Sequence, residues 1–139
     1  MRVFEPVKFR PPAESHSVLL RATRGCSWNR CAFCNMYLDM EFQVRSMKEI
    51  KEEIEDMARL VGEVKEWAAK HGMADQVDNV ALSRGLPGLQ EGEVRGVILG
   101  DGNALIMKTR DMVEVIEALY DSFPALETVA CYGMGRDIL

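Results

Sequence analysis

The sequence predicts an α/β fold in which parallel strands alternate with helices that lie outside the sheet. Two observations support this prediction. Short apolar runs alternate along the chain with longer stretches in which apolar residues recur every three or four positions. Each apolar run also leads into a loop that carries cysteine or glycine. Such alternation favours strands joined by helical crossovers, with the loops gathered at the carboxyl ends of the strands.

The amino-terminal part of the chain predicts one strand and one long helix. Residues 1–14 hold three of the five prolines, and we expect them to form an irregular lead-in. A short buried strand is predicted over residues 17–22. Ser46 is the expected N-cap of a helix that ends near Lys70, and Glu49 completes its capping box. The apolar face of this helix is expected to comprise Met47, Ile50, Ile54, Met57, Val61, Val64 and Ala68.

The middle of the chain is less regular and leads into a second strand. Glycine and proline interrupt residues 71–93, where a short helical turn is expected over residues 77–82. Residues 94–99 are then predicted to form the second buried strand, which leads into a loop that begins at Gly100.

The last third of the chain predicts a second helix and a third strand. The helix is expected to begin at Lys108 or Thr109 and to end at Phe123-Pro124. The third strand is predicted over residues 126–132. A barrel of eight strand–helix units takes ~250 residues, so residues 1–139 fit about three units, and we expect a single, truncated domain. The alternative is a compact three-strand domain that covers its open sheet edge by association.

Charge and composition restrict the classes of function. The chain has 17 basic and 22 acidic residues and a net charge of -5, which argues against a nucleic-acid-binding surface. No run approaches the ~18 apolar residues of a transmembrane helix. The first residues also lack the apolar segment of a signal peptide. Free cysteines without an export signal favour a reducing, cytoplasmic location.

Three cysteines are the most informative feature of the sequence. Cys26, Cys31 and Cys34 have the spacing C-x4-C-x2-C in a loop expected over residues 23–37, and Phe33 precedes the last of them. Three thiolates on one loop can hold three irons of a four-iron cluster and leave the fourth iron open. An open metal position permits chemistry, whereas a fully ligated metal carries electrons or stabilises a fold.

A second motif follows the second predicted strand. Residues 97–103 are Val-Ile-Leu-Gly-Asp-Gly-Asn, an apolar run that passes into two glycines. Gly100 and Gly102 would let backbone groups approach a ligand closely, because no Cβ stands in the way. Asp101 supplies a carboxylate between them, which would pair well with an ammonium group.

Together these motifs resemble those of the radical S-adenosylmethionine (SAM) enzymes. The cysteine loop is similar to the cluster loop of that family, which also carries an aromatic residue before its third cysteine. The family usually has one residue fewer between its first two cysteines than lie between Cys26 and Cys31. Gly100-Asp101-Gly102 resembles in position the Gly-Gly-Glu-like segment that binds the amino group of the SAM methionine.

The resemblance implies a fold, two cofactors and a set of site residues. The fold would be a partial (β/α) barrel of radical SAM type, comprising about its first three units. Cys26, Cys31 and Cys34 would bind a [4Fe-4S] cluster whose open iron binds SAM. The residues implied to lie against SAM are Phe33, Gly100, Asp101 and Gly102.

The resemblance also implies an activity and partners. Radical SAM enzymes cleave SAM reductively to a 5'-deoxyadenosyl radical, which abstracts hydrogen from a substrate. An electron donor such as a flavodoxin or ferredoxin would be a partner, and neither a membrane nor a nucleic acid is expected. The substrate is left open, because family members recognise it with later strands and appended domains.

Several of these residues have simpler interpretations. The cysteines with a fourth ligand such as His16 would suit a zinc site, or an iron–sulfur module without SAM chemistry. Phe33 could be a hydrophobic plug under the loop, and Asp101 a turn residue. Arg24 could offset the negative charge of a thiolate-bound cluster or be exposed. Cys131 is expected to be a core residue, because small apolar cysteines commonly are.

Overall fold

The protein has an α/β architecture, seen in a computed structural model that describes residues 16–24, 41–100 and 104–131. Two short strands flank the region of the cysteines, and the remaining strands and the helices alternate along the chain. In chain order the strands are β1 (Val18–Arg21), β2 (Thr23–Arg24), β3 (Gln43–Val44), β4 (Gly96–Gly100) and β5 (Thr128–Cys131). The helices are α1 (Met47–Lys70), α2 (Val77–Ser83) and α3 (Thr109–Ser122).

A parallel sheet of three strands lies at the centre, in the order β1-β4-β5. Each of its strands corresponds to one of the strands predicted from the sequence. The second begins later than predicted and includes Gly100, which pairs with Arg21. The third begins at Thr128, because the N–H groups of Glu127 and Thr128 both donate to the carbonyl of Arg95 and end the regular ladder there. The predicted α/β class with parallel strands and helices is therefore confirmed.

Helix α1 follows the sequence prediction closely. The Ser46 side-chain oxygen accepts a hydrogen bond from the Glu49 N–H at 3.2 Å, which caps the first turn. At the other end the N–H of His71 donates to the Trp67 carbonyl, and Gly72 follows with a φ of 67°. Every apolar position predicted to face inward is buried except Met47, which is partly buried against the core.

One face of the sheet packs against the helices and forms the hydrophobic core. Alternate strand residues point to this face, since side chains in a strand alternate between its two sides. The strand residues that join the buried core of the helices are Val18, Leu20, Val97 and Leu99. Helix α1 packs against α2 and α3, so α1 is the central helix of this layer.

The opposite face of the sheet carries smaller and more polar residues. Arg21, Ile98 and Gly100 lie on this face by the same alternation. Gly96 shows how closely the row at the amino end is packed, because a Cβ there would lie 2.8 Å from Ser17 Oγ and 3.1 Å from Thr128 Oγ1.

A connector runs from α1 to β4 through α2, which confirms the short helical turn predicted over residues 77–82. The Asp78 carboxylate accepts hydrogen bonds from the N–H groups of Glu91 and Gly92 at 3.0 and 2.8 Å. Both residues have positive φ values, 52° and 80°. Gly88 lies against the start of β1, where an added Cβ would be 2.3 Å from the Ser17 carbonyl oxygen. None of the helices in the described ranges is long and apolar enough to cross a membrane.

Candidate functional site

Both sequence motifs leave the sheet at the same edge. Strands β1 and β4 are parallel neighbours, and Arg21 at the end of β1 pairs with Gly100 at the end of β4. The N–H of Ala22 continues this ladder by donating to the Gly100 carbonyl. The cysteine loop follows β1 and the glycine-rich motif starts at Gly100, so the two segments begin on adjacent strands at the carboxyl edge.

Of the residues expected to bind cofactors, Gly100 lies within the described ranges, as the last residue of β4. It is fully enclosed, because all five residues of β4 are buried. The other candidate site residues lie outside the described ranges, namely Cys26, Cys31, Cys34, Phe33, Asp101 and Gly102.

A short antiparallel ladder closes the base of the cysteine loop. In this ladder β2 pairs with β3, so Thr23 is opposite Val44 and Arg24 is opposite Gln43. The N–H of Arg45 then donates to the Ala22 carbonyl at 3.1 Å. All three cysteines belong to residues 25–42, which this ladder encloses. Neither β2 nor β3 was predicted from the sequence.

A buried ion pair lies behind this ladder. The side chains of Arg45 and Glu53 are 3% and 2% exposed, and Arg45 Nη2 lies 2.8 Å from Glu53 Oε2. Arg45 Nη1 also donates to the carbonyl oxygen of Arg21 at 2.8 Å. This arginine therefore connects the end of β1, the chain that returns from the cysteine loop, and helix α1.

A second, more exposed ion pair fastens the other side of the loop. Arg24 Nη2 donates to Glu49 Oε2 at 2.9 Å, and Arg45 Nε lies 3.5 Å from the same oxygen. The hydrogen bond from Arg24 lowers the pKa of Glu49 below its ordinary value of 4.5, and the charges of Arg24 and Arg45 act in the same direction. Arg24 is thus partly buried and paired with a carboxylate, and the alternative of a simply exposed side chain is wrong.

The sequence holds a signal for the buried carboxylate of Glu53 that was not recognised from the apolar periodicity. Glu53 lies between Ile50 and Ile54, within the apolar stripe of α1, and is buried with them. A charged residue at a core position of an amphipathic helix is informative, because such a charge is rarely buried without a partner. The partner, Arg45, could not be identified from periodicity because it precedes the helix.

Of the remaining candidate residues, Cys131 lies at this same carboxyl edge, opposite Leu99, whereas His16 lies beyond the amino end of β1. Cys131, which was expected in the core, is partly buried at the end of β5 and packs against the core, and burial raises the pKa of its thiol. His16 is exposed and precedes β1, so the length of that strand separates it from Arg24, where the cysteine loop begins. His71 is exposed at the end of α1 and stacks on Trp67 with ring centroids 4.2 Å apart.

The side chains expected to hold a metal are the three cysteines, which lie outside the described ranges. Within the described ranges, no three His, Cys, Asp or Glu side chains are grouped closely enough to hold a metal ion. Three thiolates are soft ligands that suit an iron–sulfur cluster or zinc, and so the donor set of Cys26, Cys31 and Cys34 fits the expected cluster. Comparison with protein-family models, curated proteins and solved structures finds no match to this chain.

Proposed function

We propose that the protein is a radical SAM enzyme, or part of one, that binds a [4Fe-4S] cluster and SAM. The observation that carries this proposal is the parallel pairing of β1 with β4, in which Arg21 is opposite Gly100. This pairing starts the cysteine loop and the glycine-rich loop on adjacent strands at one sheet edge. Active sites of α/β barrels are built from the loops at that edge.

Each motif has a separate task in this proposal. Cys26, Cys31 and Cys34 would hold the cluster through three irons, and the resemblance assigns Phe33 to the neighbourhood of the SAM adenine. The loop that starts at Gly100 binds the amino group of the SAM methionine, with the carboxylate of Asp101 facing the ammonium charge. When bound, the cluster would supply the electron for reductive cleavage of SAM to methionine and a 5'-deoxyadenosyl radical, which would abstract hydrogen from the substrate.

The proposed architecture is a partial (β/α) barrel of radical SAM type. The order β1-β4-β5 follows the chain, as consecutive strands do in such a barrel. The helices cover one face of the sheet, and the face that carries Ile98 and Gly100 would be the inner one. A cytoplasmic flavodoxin or ferredoxin would supply the electron, and the substrate, a small molecule or another class, is left open.

The competing proposal is an iron–sulfur or zinc module without SAM chemistry. Thiolate donors suit it equally well, but it gives no role to the glycine-rich loop at the neighbouring strand. The two proposals therefore differ in whether the metal responds to SAM.

Electron paramagnetic resonance on the anaerobically reconstituted and reduced protein, with and without SAM, tests the proposal. We expect a four-iron signal that changes when SAM is added, because SAM would bind the open iron. A cluster signal indifferent to SAM would favour the electron-carrying module. Zinc in place of iron after reconstitution would refute the proposal.

The substitution Asp101→Ala tests the second motif separately. We expect weaker SAM binding with normal iron content, because Asp101 is proposed to face SAM and the cysteines to hold the cluster. Isothermal titration with SAM and a colorimetric iron assay measure the two properties. Loss of iron in this variant would show that Asp101 has a structural role instead.

A further inference from the structure

The base of the cysteine loop is fastened to helix α1 on both sides. We propose that Arg24, Arg45, Glu49 and Glu53 are positioning residues that hold the loop in its metal-binding form. We refer to these four residues as the loop clamp. The inference rests on the proposed function, since that function assigns a metal to the loop.

The two arginines lie on either side of the loop. Arg24 is the last residue of β2, directly before the loop, and Arg45 directly follows β3, which ends it. Both reach the first turns of α1, where Glu49 and Glu53 are one helical turn apart and lie on the same side. The loop therefore cannot open at its base without breaking ion pairs to a long helix whose apolar face is buried in the core.

The arginine on the returning side has a fixed geometry. Its Nη2 contacts Glu53 Oε2, its Nη1 donates to the Arg21 carbonyl, and its backbone N–H donates to the Ala22 carbonyl. The planar guanidinium group presents its donors in set directions, so these bonds define both where Arg45 lies and how it is turned. The end of β1 and the end of the loop are thereby held in one arrangement.

A gain in stability does not by itself explain why Arg45 and Glu53 form a buried ion pair. Removing two charges from water is costly, and an apolar pair of similar size commonly stabilises a protein as well or better. Within the described residues, Glu53 Oε1 accepts no hydrogen bond although it is buried. A buried carboxylate with one oxygen left unsatisfied adds to that cost. An apolar pair would not reproduce the directed hydrogen bonds that Arg45 donates to Glu53 and to the Arg21 carbonyl.

A fixed base lowers the cost of binding a metal. A free loop must lose conformational entropy when its ligands converge on one ion, whereas a loop already closed at its ends loses less. Holding the ends together should also slow dissociation of the metal, because a thiolate that detaches would stay close enough to bind the metal again. We therefore expect the clamp to act mainly on metal retention.

The double substitution Arg45→Met with Glu53→Met separates positioning from stability. We expect thermal unfolding at an unchanged or higher temperature, together with transfer of bound zinc to a colorimetric chelator at least tenfold faster than in the wild-type protein. The iron-loaded protein, prepared anaerobically, should show the same acceleration of iron release. A matched control is Lys51→Met with Glu114→Met, an exposed ion pair of 3.1 Å between α1 and α3. This control should leave metal release unchanged.

A milder variant keeps the test decisive if the double variant does not fold. Arg24→Gln removes the partly exposed ion pair, and we expect about threefold faster zinc release with normal unfolding. Unchanged release in the folded double variant, or in Arg24→Gln if the double variant does not fold, would overturn the inference. A wild-type protein that retains zinc but assembles no cluster would refute the proposed function, while its zinc release would still decide the role of the clamp.

Discussion

Arg45 and Glu53 form the most deeply buried ion pair among the described residues, and burying two charges is costly. Each side chain is almost fully enclosed, and each satisfies the charge of the other. Removing one partner of such a pair typically costs about 3–5 kcal/mol, because the remaining charge is left without compensation. Single substitutions at these positions would therefore confuse loss of folding with loss of function, which is why paired substitutions are the informative ones.

Among the cysteines, position distinguishes a proposed ligand from a core residue. Cys31→Ala is expected to abolish cluster assembly, since the cluster would lose one of its three thiolates. Cys131→Ala is the matched control, because Cys131 packs against the core from the end of β5. We expect it to retain normal iron content in a colorimetric assay. Normal iron content in Cys31→Ala would remove Cys31 from the ligand set.

The ion pairs that Glu49 makes within the loop clamp should give the stability of the protein a dependence on pH. Its pKa is lowered in the folded protein, chiefly by the hydrogen bond from Arg24. A lowered carboxyl pKa stabilises the fold above the ordinary value of 4.5, and this contribution is lost as the pH falls through the folded value. Glu49→Gln should therefore reduce the free energy of unfolding at pH 7, and the difference from the wild type should shrink on acidification.

Urea unfolding followed by circular dichroism at a series of pH values measures this difference. Glu52→Gln is a suitable control, since Glu52 is exposed on the same helix. We expect it to change the free energy of unfolding at neutral pH by less than about 0.5 kcal/mol. A constant difference between Glu49→Gln and the wild type at every pH would contradict the ion-pair explanation.

Among the elements, α1 was the most predictable and the β2–β3 ladder the least. An amphipathic helix of 24 residues can be predicted from the repeating pattern of its apolar residues and from its capping box, both of which are local in sequence. The ladder joins pairs of residues about twenty positions apart, and two-residue strands such as Gln43–Val44 carry no periodicity. The ladder is extended by the hydrogen bond from the Arg45 N–H to the Ala22 carbonyl, a contact between distant residues that no local pattern predicts.

The connector between α2 and β4 depends on a glycine that permits close packing. Gly88 has a φ of 104°, and an added Cβ would lie 2.3 Å from the Ser17 carbonyl oxygen. Gly88→Ala should therefore lower the free energy of unfolding by at least about 1–3 kcal/mol, because both the backbone conformation and the contact become unfavourable.

Gly62→Ala provides the opposite case on α1. A Cβ at Gly62 meets nothing within 4 Å, and the residue lies inside the helix. Alanine there should stabilise the protein by about 0.5–1 kcal/mol, since glycine loses more backbone freedom on folding. Urea unfolding of both variants checks the pair, and similar effects of the same sign would contradict the packing described for Gly88.

In the whole molecule, one hydrophobic layer between the sheet and the helices holds the fold together. Leu20 is 0% exposed within it, whereas Leu82 on α2 is 57% exposed. Leu20→Ala is expected to cost about 2–5 kcal/mol of unfolding free energy, since it removes buried surface and leaves a cavity. Leu82→Ala should change it by less than about 0.5 kcal/mol. Comparable losses for the two variants in urea unfolding would contradict the assignment of the core.

The overall topology was predictable because it follows from patterns that recur along the chain. Apolar runs, amphipathic stretches and loop residues each predicted one element, and their alternation predicted parallel pairing. The sequence did not predict that Arg24 and Arg45 meet glutamates on α1, because each contact joins residues from different elements. The resemblance to radical SAM enzymes stays a prediction, since the thiolates that carry it lie outside the described residues.

The backbone hydrogen bonds of Ala22 connect the strand end that precedes the cysteine loop with the strand end that precedes the glycine-rich motif. Its N–H is bonded to the carbonyl of Gly100, and its own carbonyl accepts from the N–H of Arg45. One fully buried peptide segment thus touches the origin of both loops. A shift at one loop is expected to change the free energy of ligand binding at the other, and thermodynamic linkage requires that the effect be equal in both directions. If metal and SAM bind as proposed, the Ala22 peptide would couple the two loops in addition to the direct bond between SAM and the open iron.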